Sequence, residues 1–315
     1  MSITPINSSG IRAETVGSHD LEQNQKWPTV LACPSCKSPL ETTDITKCFS
    51  CGFQIESIAG IPVLVNNKDL IDSKIAEARQ SGLRSWYEER QAPVVEGPYR
   101  HHLRKRREYV GSVLKRYVDQ HGKPGSGLDL GCGDGTNLPW LSQYVQTLFA
   151  SDYNLIRLQR AAELPFPSVL FMADATDYPA VSNSLDVIFF NHVLEHIPND
   201  MAALSEVYRI LKPGGIVILG VPNEGALFWR LAYWLQPKSR LNSDHVHFYT
   251  ADDLSEKCLS AGFKLQEIKH IGWGIPHWGL DERVRGYKWV DDLLEVTGSL
   301  FIQSQATSLY LVLAK

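Results

Sequence analysis

The sequence predicts an α/β fold, a mostly parallel sheet with helices on both faces, preceded by a small cysteine-bearing module. Three observations predict it. From Gly127 onward, apolar strand-like runs alternate with helical ones. The first of these runs ends in alternating glycines, Gly131-Cys132-Gly133-Asp134-Gly135. Upstream, Cys33-Pro34-Ser35-Cys36 and Cys48-Phe49-Ser50-Cys51 repeat one spacing.

The 315 residues are 43% hydrophobic and 21% charged, enough for one large or two smaller domains with a real core. A formal net charge of −4 gives no global attraction to nucleic acid. No apolar run reaches the length of a bilayer-spanning helix, because residues 216–235 are broken by Pro222, Asn223, Glu224 and Arg230. The N-terminus lacks a basic start followed by an apolar stretch, so no secretory signal is expected. Without export, two CxxC pairs point to metal rather than disulfides. The expectation is a soluble cytoplasmic protein.

Residues 1–26 are polar and aperiodic and are expected to be a disordered tail. Residues 27–66 form the cysteine module, with short strands expected at 53–58 and 61–65 around Gly60 and Pro62. Residues 67–123 read as a helical linker and N-terminal helices, broken at 93–98. Tyr109, Val113, Leu114, Tyr117 and Val118 make an apolar face there. Within 124–315, strands are expected at 128–130, 147–151, 169–172, 185–190 and 216–220. A helix at 201–211 is closed by Lys212-Pro213-Gly214-Gly215. A helix follows at 251–261, with Thr250 as N-cap, then strands near 264–270 and at 308–314. Aromatic-rich segments, about 224–250 and 273–307, form a cap or insert.

An open parallel sheet binds ligands beyond the carboxyl ends of its strands. Alternate glycines after the first strand let a ligand lie against bare backbone. The spacing is G-x-G-x-G, not the G-x-G-x-x-G of a dinucleotide site, and Asp129 and Asp134 flank it. Acids repel phosphate and suit a ligand with a cationic or donor-rich end, such as S-adenosylmethionine. Asp152 at the second strand tip can accept both ribose hydroxyls, and Asp174 at the third can accept from the adenine amino group. Asn191 at the fourth lies by the sulfonium and amino-acid end.

The segments LDLGCGDG, SDYN, MADATD, NHVLEHI, RILKPGG and VPNEG resemble the successive motifs of class I S-adenosylmethionine-dependent methyltransferases of the small-molecule type. The resemblance covers roughly residues 100–271 and the terminal strand. It implies a seven-stranded, mostly parallel sheet whose last strand is antiparallel. It also implies that Asp129, Gly131 and Gly133 cradle the methionine part, that Asp152 and Tyr153 of SDYN meet the ribose, and that Asp174 with Ala175 meets the adenine. Asn191 and His192 are read as cofactor-pocket residues. On this reading Asp129 sits in a buried strand because it orients the glycine loop.

Cys33, Cys36, Cys48 and Cys51 supply four thiolates that two CxxC knuckles can set tetrahedrally about one structural zinc; an iron centre, a redox pair or a degenerate site are the alternatives. Cys132 and Cys258 are read as packing residues. Residues 31–65 are similar to the zinc-ribbon-like domain of the small activator subunits of translation-related methyltransferases. That resemblance implies a docking surface for a partner protein or for the chain's own catalytic domain.

The methyl acceptor is the open question. Asp244-His245-Val246-His247-Phe248-Tyr249 follows the fifth strand, and His245 and His247 share a side if the segment is extended. One of them, His247 or His245, is expected to act as base or acceptor orienter; the alternative is a loop histidine bonding backbone. His192 and His196 form an HxxxH pair, but no third metal ligand is evident in the sequence. The basic run Arg104-Lys105-Arg106-Arg107 is either a solvated helix face or an RNA contact. Three functions follow: methyl transfer to an oxygen or nitrogen of a sugar, lipid-linked or natural-product acceptor; ribosomal or transfer RNA methylation with the zinc module and Arg104–Arg107 as grip; or a non-catalytic S-adenosylmethionine sensor.

Overall fold

A computed structural model describes residues 29–40, 45–66, 97–166, 168–238 and 244–315. The expected tail at 1–26, most of the linker (67–96) and residues 239–243 of the cap lie outside the described residues.

The cysteine module contains one small hairpin, β1 (Ser57–Ile58) paired antiparallel with β2 (Ile61–Pro62). Ala59 (φ 52°) and Gly60 (φ 78°) both take positive φ, the geometry that matches a two-residue turn to the twist of its strands. The strands are shorter than the sequence implies: Val63 N–H still donates across the hairpin to Glu56 O at 2.8 Å, but Val63 and Leu64 also join the main sheet. Val63 bridges Met172 in parallel, and Leu64 N–H donates to the Met172 carbonyl at 2.9 Å. At the module's start, Ala32 N–H donates to Pro179 O at 2.9 Å, and Val181 N–H donates to Val30 O at 2.8 Å. The module thereby covers one sheet edge whose backbone groups would otherwise be unpaired.

The long helix α1 (Arg100–His121) leads into β3 (Ser126–Leu130), α2 (Leu138–Leu141), β4 (Thr147–Asp152), α3 (Leu155–Ala162), β5 (Val169–Met172) and β6 (Leu185–Asn191). A 3-10 turn (Leu194–His196), α4 (Asp200–Ile210), β7 (Leu211–Pro222) and α5 (Leu227–Leu235) follow. The chain closes with α6 (Ala251–Ser260), β8 (Lys264–Ile271), α7 (Trp278–Arg285), α8 (Lys288–Phe301), a second 3-10 turn (Gln303–Gln305) and β9 (Ser308–Ala314). The seven strands order β5-β4-β3-β6-β7-β9-β8, with β9 antiparallel to both neighbours. This is the class I methyltransferase arrangement that the motifs imply.

Both sheet faces are buried, which is why the strands read as continuous apolar runs. Leu128, Leu130, Ile188 and Phe190 pack with Leu204 and Val207 of α4, Leu254 of α6, and Leu31 and Leu64 of the module. Phe189, Val187 and Ala150 pack on the other face with Val110 and Leu114 of α1, Trp140 of α2 and Leu158 of α3. One boundary differs from expectation: β7 begins at Leu211, the last residue of the expected helix, and runs through the expected stop at 212–215. Leu211 pairs with Leu185, and the register then jumps to Ile216 with Val187. Gly215 allows this close return, since a Cβ there would lie 2.7 Å from the Asp186 carbonyl oxygen. Among the described residues, no helix is long and apolar enough to cross a membrane.

Candidate active site

Strand order reverses direction at β3, with β4 and β5 on one side and β6 and β7 on the other. At the carboxyl ends of β3 to β6 opens a cavity of about 860 Å³, within the range of small-molecule sites. Gly131, Asp152, Tyr153, Asp174, Ala175, Asn191 and His192 all line it.

The glycine loop is fixed from below. Gly131 N–H and Cys132 N–H both donate to the Ser151 carbonyl, at 2.8 and 2.9 Å. Gly131 has φ 76°, and a Cβ there would sit 2.2 Å from Val193 Cγ2, so only glycine fits against the opposite wall. Asp152 holds the loop and the next helix together: Oδ2 accepts from Gly133 N–H at 2.9 Å, and Oδ1 accepts from Asn154 N–H at 2.8 Å. Asn154 in turn caps α3 by accepting from Ile156 and Arg157 N–H. Burial raises the Asp152 pKa, and those two backbone donors only partly offset it. Gly133 is therefore part of the loop's scaffold and is not itself among the lining residues.

Asp129 also stands behind the cavity. It is 1% exposed, and its Oδ2 has no hydrogen-bond partner among the described residues. Burial, with Asp152 nearby, pushes its pKa up to about 8. Asp174 Oδ1 accepts from both the backbone N–H and the hydroxyl of Thr176, at 2.8 and 2.7 Å. Asn191 Oδ1 accepts from Tyr310 Oη at 2.8 Å, which leaves its amide group as donor.

His192 takes φ 54°, and its Nδ1 lies 3.2 Å from Glu195 Oε1. Burial, then Arg106, lowers its pKa. His196 also lines the cavity, with Nδ1 3.0 Å from Asp244 Oδ1 and Nε2 4.0 Å from Glu195 Oε1. His245 is next to it, the two rings 4.7 Å apart edge to face, with Nδ1 2.7 Å from Glu224 Oε2. Burial opposes charge on His245, but the Glu224 carboxylate outweighs it and raises the pKa. Tyr233 Oη donates to the other Glu224 oxygen.

His247, expected as a candidate base or acceptor orienter, lies away from the strand-tip cavity. It does not line this cavity but a separate pocket, with Met201 and Lys257. Its Nε2 donates to the carbonyls of Ile197 and Pro198, at 3.0 and 3.3 Å, and its ring stacks on Tyr249. His245 and His247 make separate side-chain contacts, with Glu224 and with the Ile197 and Pro198 carbonyls, while Val246 and His247 N–H both donate to Glu195 O.

The structure adds residues of α1 to the cavity wall, two of them from the basic run. Leu103, Arg106, Arg107 and Val110 of α1 roof the cavity. Their i, i+3, i+4, i+7 spacing was the available signal for one shared helix face. The basic run is not a common surface. Lys105 reaches Asp291 at 2.6 Å, Arg106 donates to Ser308 Oγ, Arg107 lies over the Trp140 ring, and Arg104 pairs with Glu108. Trp229, Tyr233 and Trp278 of the aromatic segments pack on one another and do not line the cavity.

In the cysteine module, Cys33 and Cys51 sulfurs are 3.7 Å apart, as are those of Cys36 and Cys48, and all four lie within 4.8 Å. A tetrahedron of about 2.3 Å zinc–sulfur bonds has edges of about 3.8 Å, so the donor set fits zinc. The two knuckles are alike: Lys37 (φ 61°) donates to Cys33 O and Gly52 (φ 77°) to Cys48 O, each at 2.9 Å. Hydrogen bonds from Ser38 pull the Cys36 thiol down to about 6, whereas burial pushes the Cys33 thiol up to about 12. Cys132 and Cys258 are buried and lie apart from this cluster.

The sequence profile of a family described as "Methyltransferase domain" matches residues 99–268, more than half of the chain. The chain belongs to this methyltransferase-domain family. A probable S-adenosylmethionine-dependent methyltransferase of Mycolicibacterium smegmatis is 25% identical over 160 residues, 50% of this chain and 60% of that protein. A ubiquinone biosynthesis O-methyltransferase of Psychrobacter arcticus is 27% identical over 163 residues, 50% of this chain and 57% of that protein. Among solved structures, a chain in a complex between the Haloferax volcanii Trm112 methyltransferase activator and a methyltransferase aligns with TM-score 0.47 and 19% identity. It covers 78% of this chain and 96% of that one. The methyltransferase domain here spans 60%, 46% and 57% of the length of three curated relatives it matches.

Proposed function

We propose that the protein transfers the methyl group of S-adenosylmethionine to an oxygen or nitrogen atom of a small molecule. The observation that supports this reading is the meeting of Asp152, Asp174, Asn191 and the Gly131 loop in one cavity of about 860 Å³. Asp152 would take the ribose hydroxyls beside Tyr153, Asp174 and Ala175 the adenine, and Gly131 the methionine part, with Gly133 and Asp129 shaping the loop behind it and Asn191 and His192 near the sulfonium. When bound, S-adenosylmethionine supplies an electrophilic methyl group on a sulfonium centre. The chain's own task is to hold an acceptor in line with that methyl and keep water out. The wall formed by His192, His196 and Pro198 is the acceptor side of this reading. His245 packs edge to face against His196 beside this wall, and His247 ties the 244–247 segment to the turn after β6. Cys33, Cys36, Cys48 and Cys51 would hold a structural zinc, and the module would act on its own catalytic domain by covering the β5 edge.

A small acceptor is favoured over RNA because Lys105, Arg106 and Arg107 are engaged within the molecule. The test is labelling. Full-length protein is incubated with methyl-labelled S-adenosylmethionine and separated RNA and small-molecule fractions of a cell extract. Label is expected in the small-molecule fraction and lost in His196→Ala. Label confined to RNA would overturn the choice of acceptor.

A further inference from the structure

We propose that Glu195, His196 and His245 bind a divalent transition-metal ion at the wall of the cavity, and that the ion holds a hydroxyl-bearing acceptor. The inference rests on the methyl-transfer reading of the same cavity and adds to it the acceptor's chemistry.

One donor atom from each of these residues lies within 4.8 Å of the others. Ligands about 2.1 Å from a common centre have tetrahedral edges of about 3.4 Å, so side-chain shifts below about 1 Å close the set. Two imidazoles and one carboxylate are a nitrogen–oxygen donor set suited to manganese, iron, cobalt or zinc.

The buried carboxylate is the observation that calls for a ligand. Glu195 is 1% exposed, and among the described residues neither oxygen accepts a hydrogen bond of good geometry. Its side-chain neighbours are His192 Nδ1 at 3.2 Å and His196 Nε2 at 4.0 Å. Two more carboxylates, Asp244 and Glu224, stand directly behind His196 and His245. Buried negative charge of this density is costly without a cation. Arg106 interacts electrostatically with Glu195 but forms no ion pair with it among the described residues, and its guanidinium donates to Ser308 Oγ.

The outer residues match the arrangement that orients metal-bound histidines. Glu224 Oε2 is hydrogen-bonded to Nδ1 of His245 at 2.7 Å, and Asp244 Oδ1 stands 3.0 Å from Nδ1 of His196 without good hydrogen-bond geometry. A ring that gives Nδ1–H to a carboxylate keeps its basic lone pair on Nε2, the atom a metal takes. The frame is rigid as well: Val246 and His247 N–H donate to Glu195 O at 2.9 and 3.2 Å, which locks the 244–247 segment to the turn carrying Glu195 and His196.

His196 belongs both to this trio and to the cavity wall, so the ion would face the reacting methyl. A hydroxyl bound to it loses its proton to solvent water more readily than a free alcohol. The oxygen lone pair then forms the new C–O bond while the C–S bond breaks. The bond's electron pair returns to sulfur and leaves a neutral thioether.

The test is titration of the full-length protein with Mn²⁺, followed by electron paramagnetic resonance. Mn²⁺ disfavours thiolates, so the cysteine cluster does not answer, and zinc content is checked separately. Wild type is expected to bind one Mn²⁺ per chain. Glu195→Gln, His196→Ala and His245→Asn should each weaken binding at least tenfold, and His247→Ala should leave it unchanged. S-adenosylmethionine binding by calorimetry is measured on every variant and certifies the fold. Wild type that binds S-adenosylmethionine but not Mn²⁺, or Mn²⁺ binding unchanged in all three ligand variants, overturns the metal site and leaves the methyl-transfer reading standing. Loss of S-adenosylmethionine binding in wild type would instead overturn that reading.

Discussion

Asp129 carries a carboxyl group whose Oδ2 is unpartnered within β3 and whose proton is held to about pH 8. The sign of its effect follows from linkage. The unfolded chain releases this proton near pH 4, whereas the folded chain keeps it to about pH 8. The folded state therefore binds more protons across that window, and the ligand-free protein loses stability as pH rises through it, by up to about 1.4 kcal/mol per pH unit from this group. Asp129→Asn is expected to flatten that slope, read as melting temperature against pH, with Asp152 supplying the part that remains. Asp129 was legible in the sequence as an odd charge in an apolar strand. Its lack of a partner was not, because it depends on what β4 and β6 place opposite it: Ala150 and Phe189, neither of which offers a donor side chain.

At the scale of elements, strand identity was readable because strands buried on both faces are apolar runs, and Asp152, Asp174 and Asn191 fall at or just beyond the ends of β4, β5 and β6. Contacts between distant segments were not readable. Glu195 and His245 are fifty residues apart, and no local period links a 3-10 turn to an extended segment. The HxHFY segment looked like a catalytic strip because alternate residues of a strand share a side. The structure instead pins it through backbone bonds to Glu195 O, and His247 turns to the Ile197 carbonyl. His247→Ala is thus expected to cost about 1 kcal/mol of stability for the lost hydrogen bond, seen by denaturant melting, while S-adenosylmethionine affinity stays within twofold. A marked loss of affinity would return His247 to the site.

For the whole molecule, the cysteine module and the sheet share one core: Cys33 and Cys48, at 0% and 1% exposure, cluster with Leu64, Phe171 and Tyr178. Val63 bridges Met172, and the next residues, Ala173 and Asp174, line the cavity. Metal binding in such a module supplies folding energy. Treatment with a strong metal chelator, or Cys48→Ser, is expected to lower the melting temperature by about 5 °C or more and to weaken S-adenosylmethionine binding through the β5 edge. A chelated protein that melts and binds as before would show that the module is independent of the catalytic domain.

The central claim is that the cavity at the strand tips holds S-adenosylmethionine with Asp152 on its ribose. Calorimetric titration of S-adenosylmethionine into wild type and Asp152→Asn tests it most directly. One site per chain is expected in wild type, with binding at least about tenfold weaker in Asp152→Asn, corresponding to about 1.4 kcal/mol. Folded wild type that takes up no S-adenosylmethionine, or an Asp152→Asn variant that binds it equally well, would contradict the claim.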